Sequence, residues 1–246
     1  MGRAEIPREL ARTLRGARGV AALTGSGVSA ESGVPTFRDA QTGLWERFDP
    51  EELATPEAFL RDPKLVWEWY SWRRELVARA EPNPAHRALA DLERRVPSFA
   101  LITQNVDGLH RRAGSRNVIE LHGNILRTVC SAERLPREPG EGAPPRCPRC
   151  GAPLRPDVVW FGEALPPGAM EAASEAARSC EVFLCVGTSG VVYPAAGLPR
   201  EAAGAGALVV EVNPEPTPVT PLAAFALRGR AGELLPALVA AAFSAG

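Results

Sequence analysis

The sequence lacks the marks of a secreted, membrane-spanning or disulfide-stabilised protein. Its five cysteines are an odd number and too few to form a disulfide framework in a chain of 246 residues. No apolar run reaches the roughly 18 residues that a membrane-spanning helix needs, and residues 1–7 lack the apolar core of a signal peptide. These absences predict a protein of the reducing cytoplasm, with neither a membrane span nor a secretion signal.

The chain also lacks an excess of charge of either sign. Its formal net charge is -1, which provides no basic footprint for nucleic acid and argues against DNA binding. No Gly-x-Ser-x-Gly sequence is present, which disfavours a serine hydrolase with a nucleophile elbow. With 45% hydrophobic residues, the chain can bury one large core and a small appended unit.

A glycine-rich turn follows the first apolar run of the chain. Residues 19–23 are short and apolar enough for a buried parallel strand, and Gly25-x-Gly27-x-x-Ala30 follows at once. Gly25 permits a tight turn, Gly27 lets a pyrophosphate approach the backbone, and Ala30 leaves room for helix and strand to pack. The pattern predicts a dinucleotide site, with a turn that merely reverses the chain as the alternative.

The region after this turn departs from the dehydrogenase pattern. An acidic residue ending a second strand is expected about 20 residues on, whereas residues 42–50 are aromatic and broken. We therefore expect the nucleotide to be held by a covering loop, in which Phe37 walls off one sugar face and Arg38 meets a phosphate. The other predicted members of this loop are Ser32, Gly33, Pro35 and Thr36.

Polar side chains follow two further strand-like runs. Residues 98–103 lead into Gln104, Asn105 and Asp107, and residues 117–121 lead into His122. Open parallel sheets bind ligands at these carboxyl ends, and histidine moves protons near neutral pH. His122 is therefore a candidate acid–base residue, with a purely structural role as the alternative.

The alternation of strand-like and helical stretches predicts an α/β fold. The expected architecture is a doubly wound, parallel, Rossmann-like sheet built from residues 1–39, 84–126 and 156–246. A helical insertion, residues 40–83, and a cysteine module, residues 127–155, would form a smaller, zinc-ribbon-like domain, with the ligands in the cleft between the two domains. Strands are expected near residues 19, 99, 117, 181, 207 and 225.

Five motifs occur in the order seen in sirtuins, and the chain resembles a bacterial member of that family over about residues 10–240. The motifs are residues 25–39, 103–110, 121–123, 158–163 and 186–189. The resemblance implies an NAD-dependent protein-lysine deacylase, which consumes NAD as a co-substrate and releases nicotinamide, O-acyl-ADP-ribose and free lysine. Its partners would be acylated proteins or peptides, rather than membranes or nucleic acid.

The resemblance also implies roles for individual residues. His122 would be the general base that activates a ribose hydroxyl, Asn105 would orient the ribose or a water, and Gln104 would contact the ribose. Asp107 would hydrogen-bond the nicotinamide carboxamide. The remaining cofactor contacts would be Gly25, Ser26, Gly27, Ala30, Glu31, Pro35, Thr36, Phe37, Arg38, Val106, Gly187, Thr188, Ser189, Asn213, Pro214, Glu215 and Ala231. Helix capping is the alternative role of Thr188 and Ser189.

Tyr70 and Arg73 are three residues apart and share one helical face. They resemble the Tyr-x-x-Arg pair of the sirtuin subgroup that removes dicarboxylic acyl groups, which implies succinyl-lysine or malonyl-lysine as a substrate beside acetyl-lysine. The alternative is an amphipathic helix with aromatic residues in the core and Arg73 paired to an acid such as Glu68 or Glu75. The resemblance places six further residues along the lysine channel and the extended peptide: Val159, Phe161, Gly162, Glu163, Val191 and Val192.

The metal-binding motif of the family is incomplete. Sirtuins usually carry two Cys-x-x-Cys pairs that hold a structural zinc; here Cys147 and Cys150 form one pair, whereas Cys130 is followed by Glu133 in place of the second thiol. Zinc retained with Glu133 or water as the fourth ligand, and zinc lost with the module held by packing, are both open.

Two other functions compete with deacylation on the same scaffold. A mono-ADP-ribosyltransferase would label an acceptor protein covalently, and a binding module would sense NAD or O-acyl-ADP-ribose without turnover. The presence of His122, Asn105 and Asp107 together argues against the binding module.

Overall fold

The structure is a computed structural model that describes residues 6–35 and 49–243. The predicted contacts of Thr36, Phe37 and Arg38 lie outside the described residues. The elements are α1 (Arg8–Gly16), β1 (Gly19–Thr24), α2 (Ser26–Ala30), α3 (Pro50–Leu53), α4 (Pro56–Arg61), α5 (Pro63–Arg79), α6 (Pro84–Arg95), β2 (Ser98–Thr103), α7 (Leu109–Arg112), β3 (Val118–Glu120), β4 (Gly123–Cys130), β5 (Leu154–Val158), α8 (Ala169–Ser179), β6 (Val182–Val186), α9 (Leu198–Gly204), β7 (Leu208–Val212), β8 (Phe225–Leu227) and α10 (Ala231–Phe243), with short 3-10 helices at Ala195–Gly197 and Thr220–Leu222.

Six parallel strands form the main sheet in the order β3-β2-β1-β6-β7-β8. They match the six expected strands, so the doubly wound sheet is confirmed. Thr24 at the end of β1 pairs with Thr103 of β2 on one side and with Val186 of β6 on the other. The strand order reverses at β1, and ligands bind at such switch points in open α/β sheets.

Helices cover both faces of this sheet because its central strands are apolar on both sides. The first core cluster joins α1, α6 and α10 to the sheet through residues such as Leu14, Leu89 and Leu238. The second joins α8 and α9 to the opposite face around Phe183, which is fully buried. Cys180 and Cys185 lie in this second cluster as buried thiols.

A separate small core lies between α3, α4 and α5 and the two-stranded antiparallel sheet of β4 and β5. Its centre holds Trp69 and Tyr70 of α5, Ile125 of β4, and Trp160 just after β5. The side chain of Asp62 caps α5 by accepting a hydrogen bond of 2.9 Å from the Leu65 N–H. The described part of the predicted helical insertion therefore packs on the strands that flank the cysteine module.

None of the helices in the described part of the chain has both the length and the apolarity needed to cross a bilayer.

Two glycine turns touch at the switch point. The Gly27 N–H donates a 2.9 Å hydrogen bond to the Gly187 carbonyl, and a Cβ at Gly25 would lie 2.7 Å from the same oxygen. Gly187 has φ +57°, and a Cβ there would lie 2.6 Å from the Val28 nitrogen. The contact between the β1–α2 turn and the turn after β6 is enough by itself to require these glycines, without any ligand.

The packing role expected for Ala30 was wrong. Ala30 is exposed, whereas Val28 in the same short helix is fully buried and joins the core beneath the sheet. The five-residue helix α2 turns Val28 toward the core, and Ala30, its last residue, lies on the exposed side.

We expect Gly187→Ala to lower the free energy of unfolding by about 2–3 kcal/mol, because it adds left-handed strain and a backbone clash. Chemical denaturation would measure this loss. Gly204→Ala is the matched control, since a Cβ there meets nothing within 4 Å. Equal stability of the two variants would show that the turn contact is not required.

Candidate active site

The carboxyl ends of β2, β6 and β7 bring polar side chains together. Gln104, after β2, donates from Nε2 to Thr188 Oγ1 at 3.0 Å, and Asn213, after β7, donates to the Thr188 carbonyl at 2.9 Å. Thr188 does cap a turn, because its Oγ1 accepts from the Gly190 N–H at 3.4 Å, but no helix begins there. Thr188 thus links the strand ends on both sides of the switch point.

His122 is fixed in one orientation at the end of β3. Its Nδ1 lies 2.9 Å from the Gln104 carbonyl, which can only accept, so Nδ1 carries the proton and Nε2 has the free lone pair. Burial lowers the pKa of His122, and the hydrogen bond to Gln104 offsets part of that effect. The ring is therefore neutral at pH 7 and suited to accept a proton.

Asn105 and Asp107 meet at the hydroxyl of Ser29. Asn105 donates from Nδ2 to the Ser29 Oγ at 3.1 Å and to the Gly25 carbonyl at 3.0 Å, which leaves its amide oxygen as the remaining acceptor. Ser29 in turn donates to Asp107 Oδ2 at 2.7 Å, and the other carboxylate oxygen accepts from the Leu109 N–H at 2.8 Å. Burial raises the pKa of Asp107, although these two hydrogen bonds oppose the shift.

The sequence interpretation missed Ser29 and His86. The Asn83 N–H donates to His86 Nδ1 at 3.3 Å, so the His86 proton is on Nε2, which lies 3.4 Å from Ser29 Oγ. Burial lowers the pKa of His86 to about 4, so it is a neutral donor at pH 7. The capping-box spacing Asn-Pro-Ala-His could have placed His86 at the start of a helix, but only the fold brings it to α2.

Several of the other predicted cofactor contacts lie in or beside two anchored segments. Glu31 accepts a hydrogen bond of 2.9 Å from the Gly232 N–H, beside Ala231 at the start of α10. Buried Glu211 accepts from Thr220 and pairs with Arg228, each at 2.7 Å, and so ties down the segment after β7. Among the other expected cofactor contacts, Ser26, Pro214 and Glu215 are exposed, whereas Pro35 and Ser189 are partly buried.

Tyr70 and Arg73 lie at the small core rather than at the sheet. Tyr70 is 2% exposed, and its hydroxyl accepts a 3.0 Å hydrogen bond from Trp160 Nε1, while burial raises its pKa. The Arg73 guanidinium carbon lies 5.2 Å from the centre of the Trp69 ring, and burial lowers the pKa of Arg73. The acids considered as alternative partners are each held by another base: Glu68 by Lys64 and Glu75 by Arg79.

The expected channel segment after β5 is joined directly to the candidate base. The Val159 N–H donates to the His122 carbonyl at 3.0 Å, and the Phe161 N–H donates to the Ala54 carbonyl at 2.9 Å. Phe161 is 49% exposed and Val191 48%, so both present apolar surface that a bound chain could cover. Gly162 and Val192 are exposed beside them, and Val106 packs against the small core.

Four side chains of the cysteine module form a candidate metal site. One ligand atom from each of Cys130, Glu133, Cys147 and Cys150 lies within 4.8 Å of the others. A tetrahedral zinc with bonds of about 2.0–2.3 Å needs such spacing, and thiolates with a carboxylate are ligands that it accepts. The donor set therefore fits structural zinc, with Glu133 in the position of a fourth ligand.

Two arginines contact the carboxylate of Glu133. Its two carboxylate oxygens lie 2.7 Å from Arg137 Nη2 and 3.2 Å from Arg149 Nε. These cations would balance the negative charge of three thiolates and a carboxylate around a divalent ion.

Comparison with known proteins finds a matching family model and relatives with a similar fold. A model described as the Sir2 family matches residues 25–194. A Pyrobaculum aerophilum protein named NAD-dependent protein deacylase 2 is 57% identical over 233 residues, which cover 94% of this chain and 93% of that protein. A crystal structure of a Sir2 homologue–NAD complex has a TM-score of 0.89 and 49% identity, covering 97% of this chain and 94% of that one. A Sir2–p53 peptide–NAD+ structure has a TM-score of 0.83 and 32% identity, covering 93% and 95%.

We expect Glu133→Cys to slow zinc release to a chromogenic chelator about tenfold, because a fourth thiolate replaces an oxygen ligand. In the cobalt-substituted protein, the thiolate charge-transfer absorption should rise by about a third, since four thiolates replace three. Glu141→Cys, in the same module but outside the cluster, is the control. Unchanged release and absorption in Glu133→Cys would place position 133 outside the metal shell.

Proposed function

We propose that this chain, which belongs to the Sir2 family, is an NAD-dependent deacylase that removes acyl groups from protein lysines. The observation that carries the proposal is the position of His122. It is neutral and held by the Gln104 carbonyl, and the turns of Gly25 and Gly187 lie at the switch point of the same sheet. Names and complexes of the similar proteins support the same cofactor and the same class of substrate.

The residues at the strand ends fit NAD. When bound, NAD supplies the ribose that receives the acyl group and the nicotinamide that leaves. Thr188 and Ser189, beside the two glycine turns, would meet phosphate or ribose. Ala231 and the segment from Asn213 to Glu215 would frame the adenosine. The remaining assigned cofactor contacts are Ser26, Ala30, Glu31, Pro35 and Val106, together with Thr36, Phe37 and Arg38.

His122 would act as a general base through Nε2, taking a proton from a ribose hydroxyl. The backbone carbonyl of His122 also accepts a hydrogen bond from the Val159 N–H, so the candidate base is bonded directly to the channel segment. The free amide oxygen of Asn105 would orient the ribose or a water. Asp107 would accept from the nicotinamide carboxamide, since each carboxylate oxygen keeps a lone pair beside its present partner.

We expect kcat/KM to fall as the pH is lowered through a value below 6.5, the ordinary histidine pKa. Protonated His122 cannot accept a proton, and burial shifts its titration to lower pH. His122→Ala should lose about 10²–10⁴-fold in activity and show no such limb. Nicotinamide release from an acetyl-lysine peptide, followed from pH 5 to 8, measures both. A wild-type limb centred above 6.5 would contradict the assignment.

We further propose that the acyl pocket accepts dicarboxylic groups such as succinyl and malonyl, alongside acetyl. The Arg73 guanidinium would supply a forked donor to the distal carboxylate, and the buried, neutral Tyr70 hydroxyl keeps its proton for donation. Both residues lie on α5, where Tyr70 packs against Trp160 next to the channel segment, and this position supports the assignment.

We expect Arg73→Met to lower kcat/KM for a succinyl-lysine peptide by about 10- to 100-fold, because a charge-assisted hydrogen bond is lost. The acetyl-lysine peptide of the same sequence should change by less than about threefold. Mass spectrometry of deacylated peptide and nicotinamide gives both rates. Arg79→Met, at the exposed end of the same helix, is the control.

Equal losses on both peptides would make Arg73 structural. Absence of any NAD-dependent release from either peptide by the wild type would refute the deacylase, and a covalently labelled acceptor protein would then favour ADP-ribosyl transfer.

A further inference from the structure

We propose that the ion pair between buried Arg155 and partly buried Glu163 is a positioning device for the acyl-lysine channel. The pair holds the turn between Val158 and Glu163, which presents Trp160 and Phe161, and neither charged group has to touch the substrate. The inference rests on the proposed function, which defines this turn as the channel wall. It also gives the Glu163 side chain a specific role, whereas the sequence resemblance placed Glu163 only along the lysine channel and the extended peptide.

The two side chains fasten both ends of the turn. Arg155, 4% exposed on β5, donates from Nη1 and Nη2 to the two oxygens of Glu163 at 2.6 and 2.8 Å. The same Nη2 donates to the Val158 carbonyl at 2.8 Å, and Glu163 accepts the Trp160 N–H at 2.9 Å. A forked pair of this kind fixes direction as well as distance.

Arg155 connects the ion pair to the aromatic residues of the proposed acyl pocket. The Arg155 guanidinium carbon lies 3.2 Å from the centre of the Trp160 ring, which is 2% exposed. Trp160 then donates from Nε1 to the Tyr70 hydroxyl at 3.0 Å. A displacement of Glu163 would therefore be passed through Arg155 and Trp160 to Tyr70.

Stability alone does not explain why charged groups occupy this position. Buried ion pairs contribute little more than apolar residues of similar volume, because both ions must be desolvated. Arg155 Nε is also buried without a hydrogen-bond partner among the described residues, which adds a further cost. An apolar pair could not form the hydrogen bonds to the Val158 carbonyl and to the Trp160 N–H.

Arg134 joins the pair from the cysteine module. Its Nη1 lies 3.2 Å from Glu163 Oε1, and its backbone N–H donates to the Cys130 carbonyl at 2.9 Å. The Arg134 side chain is 44% exposed, so this outer ion pair is weak compared with the buried one. It makes Arg134→Met a suitable control that removes one cation from Glu163 without opening the turn.

The test compares Glu163→Gln, which keeps the side-chain volume and removes the charge, with the wild type and Arg134→Met. For a succinyl-lysine peptide we expect Glu163→Gln to raise KM about tenfold, with kcat within about twofold and KM for NAD unchanged. Arg134→Met should change KM by less than about twofold. The dissociation constant of a fluorescein-labelled acyl-peptide, measured by anisotropy, should follow KM and requires no turnover.

The double variant Arg155→Met with Glu163→Gln separates positioning from folding. We expect it to recover part of the melting temperature lost in Glu163→Gln, since no unpaired cation stays buried, while its peptide affinity stays about tenfold weaker. Recovery of stability and affinity together would make the pair merely structural and overturn the proposal, as would wild-type affinity in Glu163→Gln. A wild type that binds the peptide but releases no nicotinamide would refute the deacylase alone.

Discussion

The contact between the two glycine turns at the switch point is the constraint on which the candidate site depends. Gly25 and Gly27 at the end of β1 touch Gly187 at the end of β6 through backbone atoms, with no side chain between them. This approach sets the spacing of the strand ends, and Gln104 then bridges the turns through Thr188. Any residue with a Cβ would separate the turns and the polar groups that they carry.

The fold was largely predictable because its signals are local. Six apolar runs of strand length predicted the sheet. The polar residues that follow β2 and β3 predicted the edge of the sheet, at the carboxyl ends of the strands, where Gln104 and His122 lie. The details that depend on tertiary contact were not predictable. Ser29 and His86 are 57 residues apart, and one partner of Glu163 is Arg155, whose burial only the fold creates. The exposure of Ala30 likewise depends on the residue at which α2 ends.

The candidate base and the proposed acyl pocket are built by different parts of the chain. His122 takes its orientation from Gln104 at the end of the parallel sheet, whereas Tyr70 takes its position from α5 and from Trp160 after β5. Backbone hydrogen bonds from Val159 to His122 and from Ile125 to Val106 join these parts. Bonds of this kind do not depend on side-chain identity, so the two parts stay in register when side chains change.

This division has a consequence for acyl selection. Substitutions on the face of α5 that carries Tyr70 should alter what the proposed pocket accepts, but they should leave the contact of His122 intact, because its partner is the Gln104 backbone carbonyl just after β2. The Arg155–Glu163 pair lies between the two parts, since it holds the turn whose first N–H, that of Val159, is bonded to His122. A change in the pair should therefore affect how the acyl-lysine is placed before it affects proton transfer, which separates substrate affinity from the rate of the chemical step.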